Sequence, residues 1–214
     1  MTDYTVVDLT MTYHNEMPGF RSEPAKTIDK EGWNASTLTI YSHAGTHMDA
    51  PLHFGVSDET IDQLNPQKCI GKAWVIRLTN LPNKYLIEIE DLGEYVEKIE
   101  ANDSILLQTD WSLKVGTPDY RNELPRISES LAKWLVEKKV NMLGVEPPSI
   151  ADVNNMAEVT LIHQILLSGK ITIIEGLCNL DKIKNDVCTL IALPIKFKNG
   201  DGAPARVIAL ETIF

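Results

Sequence analysis

Three of the five histidines in the chain and one aspartate lie within a stretch of eleven residues. They are His43, His47, Asp49 and His53. Imidazole nitrogens and a carboxylate oxygen form a donor set that suits Zn²⁺, Mn²⁺ or a similar divalent ion, and the stretch lacks the thiolates of a purely structural zinc site. A single histidine is more often an ordinary loop or core residue, but this combination predicts an open, catalytic metal site.

The spacing of His43 and His47 also matches one face of a helix, as in zinc proteases. That alternative is disfavoured, because Ala44 stands where the protease pattern needs a glutamate. Gly45 and Pro51 would also interrupt a helix. The histidines are therefore expected on irregular or extended backbone.

A strand is predicted to lead into the cluster. Residues 36–42 contain a run of β-branched side chains with a two-residue alternation. In an extended segment, His47 and Asp49 are two residues apart and point to the same side. Pro51 keeps the residue before it extended, so a stiff connection brings His53 towards them.

The composition predicts one globular domain over residues 1–214. With 43% hydrophobic and 23% charged residues, the chain can form a substantial core. Its formal net charge of −10 argues against nucleic acid or an anionic membrane surface as a partner, since either needs clustered Lys and Arg.

The N-terminal residues are acidic and lack an apolar signal core, and no apolar run of about 18 residues occurs. A cytoplasmic location is therefore expected.

The chain contains three cysteines, and their number and spacing argue against a disulfide framework. Cys69, Cys178 and Cys188 are odd in number and far apart, with no Cys-x-x-Cys pair. Buried free thiols are therefore expected.

Hydrophobic periodicity predicts six strands and three helices. Strands are predicted over residues 4–9, 36–42, 73–78, 104–108, 140–145 and 171–174, and helices over residues 87–99, 128–139 and 159–168. Residues 10–26 contain two prolines and a glycine and are predicted to form an irregular loop.

Two further residues complete the candidate metal site. His163 lies among aliphatic residues of a predicted helix, where a histidine is more often a packed core residue than a ligand. Glu175 follows a short apolar strand, and a carboxylate there costs several kcal/mol unless it is paired or bound to a metal. Together with Asp49 they predict a two-ion site in which Asp49 and Glu175 bridge the ions.

The pattern His-x-Gly-Thr-His-x-Asp-x-Pro-x-His over residues 43–53 resembles the signature of the cyclase family of metal-dependent hydrolases, which includes bacterial kynurenine formamidases and isatin hydrolases. The resemblance extends over most of the chain. The further matches, in order, are Asp8-Leu9-Thr10, Gly144-Val145 with Pro148-Ser149, His163 twelve residues before Glu175, and Ala192-Leu193-Pro194 leading to Asp201-Gly202-x-Pro204-x-Arg206.

The resemblance implies a fold and a ligand set. The fold is α/β, with a central mixed sheet curled towards a barrel and flanking helices, of the swivelling β/β/α type. The site holds two divalent ions, two Zn²⁺ with Mn²⁺ as the alternative. The implied ligands are His43, His47 and Asp49 for one ion, His163 for the other, and Asp49 and Glu175 as bridges. His53 matches the residue that these enzymes use as proton donor and acceptor.

The implied function is metal-dependent hydrolysis of a C–N amide bond in a small molecule, similar to that of an arylformamidase. An alternative is ring opening of a cyclic amide or ester, as in isatin hydrolases. A third alternative, from another class, is a metal-binding protein without catalysis. The resemblance also implies a homodimer or a higher homo-oligomer, whose N-terminal loop reaches the neighbouring site.

Two segments depart from the family pattern. In the N-terminal loop, Phe20 is the candidate aromatic that contacts substrate, and Met17 takes that place if the gap is positioned differently. Glu146 stands where the family usually has aspartate, and it is expected either to support the ligands from behind or to mark only a stiff turn.

Overall fold

A mixed β-sheet that closes into a barrel forms the centre of the protein. The computed structural model describes residues 4–212; the predicted domain over residues 1–214 includes residues 1–3 and 213–214, which lie outside the described residues. The strands are β1 (Tyr4–Asp8), β2 (Phe20–Lys26), β3 (Ala35–Ile40), β4 (His47–Asp49), β5 (Ile70–Arg77), β6 (Leu86–Ile87), β7 (Ser104–Gln108), β8 (Arg126–Ile127), β9 (Met142–Val145), β10 (Thr172–Glu175), β11 (Val187–Pro194) and β12 (Gly202–Thr212). The helices are α1 (Ile28–Glu31), α2 (Tyr95–Lys98), α3 (Pro118–Asn122), α4 (Glu129–Glu137) and α5 (Met156–Ser168).

Seven strands close the barrel in the order β12, β11, β5, β7, β9, β10 and β4. The ring closes because the short strand β4 pairs with both β10 and β12. Strands β5, β7, β9 and β10 run parallel, whereas β11, β12 and β4 pair antiparallel with their neighbours, and β1 extends the sheet beyond β12. The predicted mixed sheet, curled towards a barrel, is confirmed.

Two hydrophobic clusters cover the two faces of this sheet. Along β7, Leu106 lies in the inner cluster with residues of β11 and β12, whereas Ile105 and Leu107 lie in the outer cluster with residues of α4 and α5. The alternation follows the two-residue period of a strand. Because both faces are covered, the parallel strands have almost continuous apolar sequences.

The predicted strands agree with observed strands to within a few residues, and two of the three predicted helices form. Helix α4 begins after Ser128, whose hydroxyl accepts a hydrogen bond from the Leu131 N–H at 3.0 Å. Helix α5 begins earlier than predicted, because the Asn155 side chain caps it by accepting from the Glu158 N–H. At 13 residues it is the longest helix, and no helix between residues 4 and 212 is long and apolar enough to cross a membrane.

Two predictions about local structure are wrong. Residues 87–99 do not form one helix: β6, a 3₁₀ turn over Ile89–Leu92 and α2 replace it, since Gly93 has a backbone conformation (φ 53°, ψ −130°) that no helix accommodates. Residues 10–26 are not irregular throughout, because β2 pairs with β3. Pro24 is tolerated there because the pair is a separate two-stranded sheet with a register shift after Pro24.

Gly176 allows β10 and the histidine-rich turn to approach each other, so its replacement should be costly. It has a φ of +68°, and a Cβ atom there would lie 2.4 Å from the Gly45 carbonyl oxygen. We expect Gly176→Ala to lower the free energy of unfolding by about 2–4 kcal/mol in urea denaturation. Gly32→Ala, which has a φ of +80° but nothing within 4 Å of the new Cβ, is the control and should cost only about 1 kcal/mol. Equal losses in the two variants would contradict this explanation.

Candidate metal centre

The turn that carries the histidines is anchored to two other parts of the chain. Gly45 has a φ of +58°, and a Cβ atom there would lie 3.0 Å from the Tyr13 ring. The Tyr13 hydroxyl donates to the Ala44 carbonyl oxygen at 2.6 Å. The Thr46 hydroxyl donates to the Gly176 carbonyl oxygen at 2.5 Å, just beyond β10. These contacts fix the backbone on which the candidate ligands stand.

The structure brings together all six residues predicted for metal binding and proton transfer. They come from five parts of the chain: the turn before β4 (His43), β4 itself (His47 and Asp49), a 3₁₀ turn over Pro51–Phe54 (His53), α5 (His163) and the end of β10 (Glu175). Register places His47 opposite Glu175 in the pairing of β4 with β10. Ladder hydrogen bonds between strands therefore set the distance between the two halves of the site.

One group of potential ligands combines His43, His47 and Asp49. Their ligand atoms all lie within 4.8 Å of one another. The Asp49 Oδ1 atom is 3.0 Å from His43 Nδ1 and 3.8 Å from His47 Nε2. This is a set of two imidazole nitrogens and one carboxylate oxygen, which suits a divalent ion with open positions.

A second group combines Asp49, His163 and Glu175, and its ligand atoms also lie within 4.8 Å of one another. His163 Nε2 is 3.6 Å from Asp49 Oδ2 and 3.3 Å from Glu175 Oε1. The other Glu175 oxygen, Oε2, is 3.2 Å from His47 Nε2. Asp49 and Glu175 thus each present one oxygen to each group, as carboxylates that bridge two cations must.

The residues fit a pair of divalent ions for a further reason. Asp49 Oδ2 is buried and makes no hydrogen bond, which is unfavourable for a carboxylate oxygen unless a cation compensates its charge. In two candidate ligands, the ring nitrogen that points away from the centre lies within hydrogen-bonding distance of a backbone carbonyl oxygen. His47 Nδ1 is 2.9 Å from the Gly45 carbonyl and His163 Nδ1 is 2.7 Å from the Val159 carbonyl. A ring whose outer N–H is held in this way offers its inner lone pair to a metal.

Burial and charge act in opposite directions on these groups. Burial alone would lower the pKa values of His47 and His163, but Glu175 and Asp49 raise them above the ordinary value. Burial would raise the pKa of Glu175, but hydrogen bonds from His163 and His47 hold it far below its ordinary value. In the absence of metal, the centre therefore favours protonated His47 and His163 beside an ionised Glu175.

His53 differs from the other histidines of the centre. Its side chain is 26% exposed, whereas that of His47 is 2% exposed. Its ring stacks on the His43 ring, with 3.8 Å between centroids. Burial, together with the charges of His43 and His163, lowers the pKa of His53 below its ordinary value. A neutral imidazole at the open edge of the centre can accept and return a proton near neutral pH.

The two candidate substrate contacts occupy different positions. Met17 is buried behind the turn, and its sulfur would lie 3.2 Å from a Cβ atom on Gly45. Phe20, half-buried at the start of β2, packs edge-to-face on Tyr13 with 5.3 Å between ring centroids. Met17 thus supports the turn from behind, and contact between Phe20 and substrate stays a prediction.

Glu146 is fully buried, but its carboxylate serves another segment. It accepts hydrogen bonds from the N–H groups of Thr109 and Trp111 at 2.7 and 3.1 Å and from the Ser112 hydroxyl at 2.9 Å. Burial raises the pKa of Glu146 despite these hydrogen bonds, which lower it. Glu146 therefore fixes the loop after β7, and the ligands are held from behind by other groups.

Asp201 is the residue of the centre to which sequence reasoning gave no role. Its Oδ2 atom is 3.1 Å from His43 Nε2 and 3.7 Å from His53 Nδ1. It forms a third group of potential ligands with these two histidines. The available signal was its place in the matched pattern Asp201-Gly202-x-Pro204-x-Arg206. The structure explains the glycine of this pattern, because a Cβ atom on Gly202 would lie 2.5 Å from His43 Cε1.

Comparisons with known proteins cover nearly the whole chain. The sequence model of the family described as "Putative cyclase" matches residues 7–152. A kynurenine formamidase of Bacillus mycoides (strain KBAB4) is 30% identical over 209 residues, which cover 94% of this chain and 95% of that protein. Isatin hydrolase A from Ralstonia solanacearum has a TM-score of 0.87 at 25% identity, over 97% of this chain and 92% of that chain. A "predicted metal-dependent hydrolase" from Bacillus stearothermophilus has a TM-score of 0.78 at 25% identity, over 97% and 98% of the two chains.

The raised histidine pKa values predict how the stability of the chelator-treated protein depends on pH. A raised pKa in the folded state contributes stability below the ordinary value of 6.5, and this contribution is lost as pH rises through the folded pKa. We expect the melting temperature in scanning fluorimetry to fall as pH rises above about 6.5. The fall should be smaller in Glu175→Gln, which lacks the charge that raises the pKa values of His47 and His163. An identical fall in both proteins would contradict this assignment.

Proposed function

Because the chain belongs to the "Putative cyclase" family, we propose that it is a metal-dependent hydrolase that cleaves the C–N amide bond of a small molecule, as an arylformamidase does. The observation that carries this proposal is the arrangement of Asp49 and Glu175, each with one oxygen directed to either histidine group. The similarity to a kynurenine formamidase supports an aryl formamide as substrate.

The proposed cofactor is a pair of Zn²⁺ ions, with Mn²⁺ as the alternative, since both accept mixed nitrogen and oxygen donors. His43, His47 and Asp49 would hold one ion, and His163 the other, with Asp49 and Glu175 shared. When bound, such ions polarise a carbonyl group and lower the pKa of water to about 7.

The residues of the chain then have separate tasks. His53 Nδ1 faces Asp201, which leaves Nε2 to take a proton from the attacking water and return it to the departing amine nitrogen. Burial of the ligands, which are at most 8% exposed, excludes bulk water from one side of the centre. The partly exposed His53 and Asp201 form its open edge.

A second candidate function is the ring opening of a cyclic amide. The structural similarity to an isatin hydrolase, at 25% identity over nearly the whole chain, specifically favours it. Both reactions need the same activated water and the same proton transfer, so they differ only in the shape of the substrate. A metal-binding protein without catalysis is the third alternative.

Turnover by zinc-loaded protein should distinguish these functions. We expect hydrolysis of N-formylkynurenine or simple aryl formamides, whereas preference for isatin would favour the ring-opening function.

His53→Ala should keep its metal content but lose about 10²- to 10⁴-fold in kcat, because the proton shuttle is removed. His14→Ala, which changes the exposed histidine outside the centre, is the control and should keep full activity. No turnover of any amide by metal-loaded wild-type protein would move the assignment to a binding protein.

The proposed assembly is a homodimer in which a second copy of the chain covers the hairpin formed by β2 and β3. A two-stranded sheet without support is marginally stable in water. This hairpin and its flanks expose large apolar side chains: Ile28, Trp33, Leu38 and Tyr41, each more than half exposed. Because the hairpin begins at Phe20, such a dimer would also bring the partner close to the predicted substrate contact.

A charged substitution in the hairpin should weaken the dimer. We expect wild-type protein to sediment as a dimer at micromolar concentration and Trp33→Glu to sediment largely as a monomer. Leu113→Glu is the control, since Leu113 is even more exposed but lies outside the hairpin. A monomeric wild-type protein in analytical ultracentrifugation would refute the proposed assembly.

The proposed location is the cytoplasm. Cys69, Cys178 and Cys188 are free thiols, as expected from their spacing. Burial raises the pKa of Cys178 to about 11 and that of Cys188 to about 12, so both thiols are protonated and unreactive. Free cysteines are typical of a reducing compartment.

A further inference from the structure

Asp201 lies where it can act on two histidines that have different tasks. It precedes β12, and its backbone carbonyl accepts a hydrogen bond from the Ala50 N–H at 2.9 Å, so the loop is tied to the end of β4. In the next register position, Gly202 pairs with Asp49. The backbone of Asp201 is thus positioned by the same pairing that positions the ligands.

The contact between Asp201 and His43 favours one nitrogen of His43 as the metal ligand. Each ring nitrogen faces a carboxylate oxygen: Nδ1 is 3.0 Å from Asp49 Oδ1 and Nε2 is 3.1 Å from Asp201 Oδ2. With an ion bound between His43, His47 and Asp49, Nδ1 would supply its lone pair to the ion, and Nε2 would carry the proton that Asp201 accepts. A carboxylate behind a metal-binding imidazole fixes its tautomer and raises its basicity.

His43 differs in this respect from the other two histidine ligands. His47 and His163 direct their outer N–H groups to backbone carbonyl oxygens, which no side-chain substitution removes. Only His43, among these three, depends on a side chain. The side chain of Asp201 is 45% exposed, so it can be changed without opening a cavity in the core.

The second histidine that faces Asp201 is the proposed proton shuttle. His53 stacks on His43 with an angle of 22° between the rings, and both rings turn one nitrogen towards the same carboxylate oxygen. A negative charge at the edge of both rings favours the tautomer with a proton on the nitrogen that faces it. In His53 this leaves Nε2 unprotonated, as proton transfer from water requires.

We propose that Asp201 is a positioning residue that holds the Nε2–H of His43 and orients His53, and so links metal affinity to proton transfer. The proposal rests on the metal site of the proposed function. It also implies that His43, His53 and Asp201 hold no ion of their own, although they form a group of potential ligands, because His43 Nε2 carries a proton.

Zn²⁺ affinity, measured in competition with a chromophoric chelator, tests the proposal. We expect wild-type protein to bind two Zn²⁺ per chain, and Asp201→Ala to bind two with about 10- to 100-fold weaker affinity for one of them. Asp201→Asn should recover most of the affinity, because its amide oxygen still accepts the His43 N–H. In proton–nitrogen NMR spectra, the slowly exchanging Nε2–H signal of His43 should be present in zinc-loaded wild-type protein and lost in Asp201→Ala.

Asp62→Ala is the matched control, since Asp62 holds the same loop by accepting the Asn199 N–H at 2.9 Å but contacts no histidine of the centre. Its zinc affinity should equal that of wild-type protein. Unchanged affinity in Asp201→Ala, an equal loss in Asp62→Ala, or loss of a whole equivalent of zinc in Asp201→Ala would each overturn the proposal. Wild-type protein that binds no zinc would instead overturn the proposed function.

Discussion

The pairing of the three-residue strand β4 with both β10 and β12 is the constraint on which the rest of the structure depends. It closes the barrel, and the same hydrogen bonds position the chemistry. Because side chains two residues apart share one face of a strand, His47 and Asp49 point together. Register places Glu175 opposite His47 on one side, and Gly202 opposite Asp49 on the other. The candidate metal centre is therefore a consequence of how the sheet closes.

Burial of the charged groups in the centre costs free energy unless cations or protons compensate the negative charge of the carboxylates. Two carboxylates and two histidines are almost completely buried, and Asp49 Oδ2 has no hydrogen-bond partner. Protons on the histidines compensate part of the charge, as the raised pKa values of His47 and His163 show. Divalent ions would compensate it more fully, because each carboxylate can then place both oxygens on a cation.

Sequence reasoning located most of the centre because its signal is local. The stretch over residues 43–53 contains four of the six predicted residues. The other two, His163 and Glu175, are polar residues within or next to apolar segments, and such residues need a charged or hydrogen-bonding partner when buried. Asp201 also lies in a matched pattern, Asp201-Gly202-x-Pro204-x-Arg206, but 158 positions separate it from His43 and only the tertiary structure shows which histidines it contacts. The apolar spacing of residues 87–99 predicted a helix, but Gly93 has a backbone conformation outside the helical region. Apolar spacing alone does not reveal such a break.

The central claim is that two ions share Asp49 and Glu175, and anomalous scattering from crystals of zinc-loaded protein tests it most directly. Data collected at the zinc absorption edge should show two peaks about 3.5–4 Å apart, each beside one oxygen of both carboxylates. One of the peaks should also lie beside His163 Nε2. A single peak at His43 and His47, with none within coordination distance of His163 or Glu175, would contradict the account.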